Sequence, residues 1–176
     1  MKIGLSIAIG AIFAAASVSA GAQELRIVAE LTIGEKSKDS SSQTTVITVN
    51  DDEAVWEQTI SGMRPGSERE RVERKRFQLS LAERKRLIHA ITANELQSVT
   101  SLTLPLRPPV FYFDLRIHLT LGDARGAIAI VAPRSAAELR ENKLYARSMN
   151  LVKELYRALN TRDANIVFDE PLRPTR

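Results

Sequence analysis

FYFDLRIHLTLGDARGAIAIVA, residues 111–132, alternates apolar and polar side chains up to Leu121 and then turns. Phe111, Phe113, Leu115, Ile117, Leu119 and Leu121 share one parity. Tyr112, Asp114, Arg116, His118 and Thr120 share the other. A period of two belongs to a strand with one dry and one wet face. Gly122-Asp123 suits a two-residue hairpin turn. RGAIAIVA (125–132) then reads as the return strand. It is apolar at both parities, which predicts a central place in the sheet.

Upstream, QELRIVAELTIGEK (23–36) alternates in the same way, with Leu25, Ile27, Ala29, Leu31 and Ile33 on one face. SKDSSSQ (37–43) reads as a polar loop. TTVITVN (44–50) and AVWEQTIS (54–61) are rich in β-branched residues and flank a turn at Asn50-Asp51-Asp52. Shared parity puts Trp56 and Ile60 together on the buried face. GMRPGS (62–67) is a second turn, and a fourth strand is expected from about Glu68 to Leu79.

Two helices follow from capping signals. Ser80-Leu81-Ala82-Glu83 is a capping box, so a helix is expected from there to about Ala93, with Asn94 as a left-handed stop. Leu81, Leu87, Ile88 and Ile91 fall in its apolar sector, and Glu83, Lys85, Arg86 and His89 opposite. Arg84 breaks the pattern by lying in the apolar sector, where its stem would run along the core and its head emerge at the first turn. LPLRPPV (104–110) is a connecting loop. Ser135-Ala136-Ala137-Glu138 is a second capping box. The last helix is expected to reach about Leu159, with Leu144, Ser148, Leu151, Val152, Leu155 and Leu159 inward and Tyr145 and Tyr156 on its flanks. NIVF (165–168) reads as a short final strand.

Consecutive strands joined by tight turns make a mainly antiparallel sheet. Amphipathic strands need one covered face, and two amphipathic helices supply the cover. The expected fold is an α+β two-layer sandwich, order ββββ-α-ββ-α with a short last strand.

The amino terminus, MKIGLSIAIGAIFAAASVSAGAQE, carries a basic residue, an apolar run and small residues that fit signal peptidase after Ala20 or Ala22. Residues 1–22 are read as a cleaved secretory signal peptide, 23–168 as one domain and 169–176 as a C-terminal tail. No later run is long enough to span a bilayer, so no membrane anchor is expected after cleavage. The chain has no Cys. That excludes a disulfide framework, a thiolate metal site and a Cys nucleophile. An exported chain without disulfides is expected in the periplasm, with the extracellular space as the alternative, since the leader specifies export and not the final address.

Residues 68–86, ERERVERKRFQLSLAERKR, hold eight Lys or Arg against four Glu, while the whole chain carries only +4. Arg71, Arg74, Lys75, Arg76, Arg84, Lys85 and Arg86 are the candidate basic surface. Aromatics are only 5% of residues and Phe77 alone lies in this stretch, so no nucleic acid is expected as a partner. The interleaved Glu and the two-sided charge fit a solvated edge strand better than a polyanion site.

Few parts for catalysis are visible. The two His have no metal-ligand spacing, and neither a nucleophile elbow nor a phosphate-binding Gly loop occurs. No metal or cofactor is expected. Asp114, Arg116 and His118 on one strand face are the single polar constellation, and a solvated strand face explains them without a catalytic role. The expectation is therefore a non-enzymatic interaction module, with a protein partner in the cell envelope. A first alternative is an inhibitor of an exported protease, since some bacterial inhibitors share this layout. TLPLRPPV (103–110) or SGMRPGSE (61–68) would then enter the cleft. A second alternative is a binder of anionic envelope polymers through 69–86.

Overall fold

The computed structural model describes residues 23–35, 41–62, 71–99, 111–131 and 142–168. The leader, the Ser135 capping box, TLPLRPPV, most of SGMRPGSE and the tail lie outside them. The strands are β1 (Leu25–Glu35), β2 (Ser41–Asn50), β3 (Glu53–Gly62), β4 (Arg71–Gln78), β5 (Phe111–Leu121) and β6 (Ala124–Val131). The helices are α1 (Leu81–Ala93) and α2 (Lys143–Asn160), with a 3₁₀ turn at Leu96–Ser98.

All five pairings are antiparallel, and the order across the sheet is β4-β3-β2-β1-β5-β6. The α+β sandwich is thus as expected. The register puts Leu25, Ile27, Ala29 and Leu31 in rows with Val49, Ile47, Leu119, Ile117 and Leu115. These side chains are buried, together with Ile128 and Ile130 of β6 and Ala54 and Trp56 of β3. Leu87 and Ile91 of α1, and Met149, Leu151, Val152, Leu155 and Leu159 of α2, complete the core. The opposite sheet face carries Arg26, Val28, Glu30 and Thr32 of β1 and their cross-strand partners.

Several local expectations are corrected. β6 is an edge strand, not a central one. The segment that follows the 3₁₀ turn lies along its outer edge: the Ala127 amide donates to the Val99 carbonyl at 2.9 Å. β2 begins at Ser41, so part of the serine-rich stretch is strand. Ile60 shares the parity of Trp56 yet is 39% exposed, lying opposite Arg71 at the far end of β3. Leu81 is exposed, whereas Glu83 is buried. Tyr145 and Tyr156 are buried too, Tyr145 edge-on to Phe113. The left-handed residue after α1 is Glu95 (φ 51°), one position beyond Asn94. Residues 165–168 form no strand; Ile166 is buried there and Phe168 packs on Tyr156.

The two ends of the sheet differ. One end has two-residue turns, with Asp51 and Gly122 both at positive φ. Asp51 and Gly122 also hydrogen-bond to Leu25 and Glu24, tying both hairpins to the start of β1. At the other end β1 stops at Glu35 and β2 starts at Ser41. β3 stops at Gly62, β4 starts at Arg71, β5 starts at Phe111 and β6 stops at Val131. The longer connections therefore attach at this end.

Candidate functional site

Asp114, Arg116 and His118 lie on the uncovered sheet face, in rows with Thr32, Glu30 and Val28 of β1. Arg116 donates to both Asp114 oxygens, at 3.0 and 3.3 Å. Asp114, with Glu30 behind it, pushes the Arg116 guanidinium further towards the charged form. The carboxylate is thus taken by the guanidinium, and no Asp114–His118 hydrogen bond forms. Beside it, in β1 and β2, this face carries short polar and β-branched residues together with Arg26 and Glu30. Thr32 and Thr44 share a hydroxyl hydrogen bond at 3.0 Å, and Val28, opposite Thr48, is 39% exposed.

The seven cations of the basic stretch do not share one surface. Along β4, Arg71 and Lys75 take the helix-covered side with Phe77, while Arg74 and Arg76 take the open face. Each meets a carboxylate: Arg71 with Glu73, Arg74 with Glu57 and Arg76 with Glu53. Lys75 bridges Glu73 and Asp163, at 2.8 and 2.7 Å, over the face of Trp56. Those hydrogen bonds raise the Lys75 pKa, Asp163 first, and the same contact lowers that of Asp163.

Arg84 is buried, and its head is not released at the first turn of α1. The guanidinium donates to the Gln23 carbonyl and to Asp51 Oδ1, which also accepts from the Leu25 amide. Glu83 beside it makes the capping box with Ser80 and reaches across to the turn after α2, accepting from Thr161 Oγ1 (3.0 Å) and Arg162 (2.8 Å). Burial pushes the Glu83 carboxyl up. The Ser80 amide and hydroxyl, Arg162 and Thr161 outweigh it and hold the pKa at about 2. An open hollow of about 520 Å³, lined by Glu24, Asp51, Asp52, Ser80 and Arg84 among others, adjoins this junction. Its polar groups secure the start of β1 to the start of α1.

A second concavity, about 490 Å³, runs between α1 and α2. Arg86, His89, Lys153 and Arg157 form its walls over Ala90 and Ala93, and Glu154 pairs with Arg157 at 2.8 Å. Of the basic stretch, this groove receives Arg86, while Lys85 is exposed with no acidic partner among the described residues. The grouping of Arg86 with Lys153 and Arg157 was not found from sequence. The i, i+3, i+4 spacing of 150, 153, 154 and 157 marks a face, but only the docking of the helices pairs it with 86, 89, 90 and 93.

Among the described residues no group of three or more His, Asp or Glu gathers to hold a metal ion, and no helix is long and apolar enough to cross a membrane. No protein-family model matches the chain, and neither does any curated protein.

Proposed function

We propose that the chain is an exported, non-catalytic protein-binding module whose partner lies in the cell envelope. The observation that supports it is the inequality of the two sheet ends. One end is closed by two-residue turns and by the Gln23–Arg84–Asp51 junction. The other end bears the attachment points of residues 36–40 and 63–70, the end of 100–110 and the start of 132–141. Binding residues concentrate on connections that a rigid scaffold holds together. On the open face the Asp114 carboxylate is engaged by Arg116, which counts against an Asp114–His118 catalytic pair there.

The test is cross-linking capture from envelope extracts, with the purified protein as bait. Replacing 103–110 by a Gly/Ser run of equal length is expected to abolish capture, and His118→Ala to leave it unchanged. Capture that survives replacement of both 103–110 and 63–70 refutes the loop-end assignment. Export itself is checked by fractionation and by the N-terminal residue of the mature protein, expected at Gly21 or Gln23.

A second reading shares the same observation. Both segments proposed for a protease inhibitor, 61–68 and 103–110, attach at the loop-bearing end. Slowing of an exported protease of the producing organism would select this reading, and no effect on any of them would remove it. The anionic-polymer reading draws little support from 69–86, whose described cations are divided between two faces and a buried site.

A further inference from the structure

We infer that the free edge of β4 is a second binding surface, which takes an extended peptide with acidic side chains at alternate positions as a seventh strand. This rests on the binding-module reading and names a partner chemistry for it. Three observations converge. First, among the described residues β4 pairs only with β3 and no strand lies along its outer edge, whereas the β6 edge is met by Val99 at Ala127. An unpaired edge is a template for strand addition. Second, charge alternates in sign across the open face toward that edge. Glu57 stands opposite Arg74, and Arg76, opposite Val55, pairs diagonally with Glu53, with the cations outermost. These pairs are exposed, and a guanidinium has five donors, so each Arg can serve a second carboxylate on its outer side. An added strand places side chains about 5 Å away on the same face. Two acidic residues separated by one position then continue the alternation. Third, the apolar residues of β4 fit the positions between and beside them: Phe77 is partly buried on the covered side, and Val72 is 56% exposed on the open face.

The same charges oppose a second copy of this chain in the register centred on Lys75. An antiparallel β4–β4 pair centred on Lys75 sets Arg74 against Arg76 and Lys75 against itself, which like-charge repulsion opposes. The interleaved cations, divided between two faces, make poor sense as a flat patch. They make good sense as a strand edge that selects its neighbour.

The probe is a fluorescein-labelled peptide, Val-Glu-Val-Glu-Val-Thr-Val, followed by anisotropy at low ionic strength. It is expected to bind about tenfold more tightly than the same peptide with Lys for Glu, and more tightly than one with its two Glu adjacent. Methylating alternate backbone nitrogens, in each of the two phases, should abolish binding in one phase and spare it in the other. The Arg74→Glu/Arg76→Glu variant, shown to be folded by its circular dichroism, should prefer the Lys peptide. The inference is overturned if the acidic peptide fails to bind, if both methylated phases bind like the parent, or if charge reversal leaves the preference unchanged. Self-association through β4 would overturn it too. A partner captured through the loop-bearing end without any peptide binding leaves the module reading intact and ends this one.

Discussion

Glu83 concentrates four hydrogen bonds from Ser80, Thr161 and Arg162 on one buried carboxylate. Its pKa falls from 4.5 to about 2 on folding. A depressed carboxyl stabilises the fold fully above the unfolded value and loses that contribution as pH drops from about 4.5 to about 2. The contribution is about 3 kcal/mol at neutral pH. Glu83→Gln is therefore expected to lower stability by about 2–3 kcal/mol at pH 7 and to flatten the acid limb, as read by urea melts across pH. Arg84→Met should cost about 1–3 kcal/mol and raise amide exchange at Leu25 and Gly122, because the Gln23 carbonyl loses its donor. The capping box at Ser80 was legible from spacing alone. The burial of Glu83 was not, because its partners Thr161 and Arg162 lie far along the chain. Arg84 stood out as a misfit on its helix, yet its partners Gln23 and Asp51 belong to other elements.

Among the elements, β6 shows what periodicity leaves open. Its two apolar parities fit a central strand, but a strand at the margin has the same composition when a neighbouring segment covers it. Gly126 carries that cover. A Cβ there would lie 2.3 Å from the Leu96 carbonyl oxygen and 3.2 Å from Leu119. Gly126→Ala is thus expected to displace the 3₁₀ turn and destabilise by about 2–3 kcal/mol, with loss of exchange protection at Ala127. β4 was legible as a solvated edge because charge at both parities leaves no face to bury. Ile60 was misread because parity assigns a side but not how far the helices extend over it.

At the scale of the molecule, Trp56 is the only tryptophan and is 5% exposed beneath Lys75. It lies where β3, β4 and the turn after α2 meet, so its emission should redden in the same denaturant range in which far-UV circular dichroism is lost. Separate midpoints would show that this corner unfolds independently. The antiparallel sandwich could be read from alternation, turns and caps, all of which are local. The strand order could not, since β1 pairs with β5 across three intervening strands and α1. That pairing has a consequence for a partly made chain. Leu25 lies opposite Leu121, so the first strand waits for nearly a hundred residues before its second flank is closed. A polypeptide truncated ahead of Phe111 presents β1, with Leu25, Ile27 and Leu31 and a bare row of amides, as a sticky margin. Such fragments should aggregate where the full chain does not, and any factor that guards this chain in its unfinished state has β1 as its natural target.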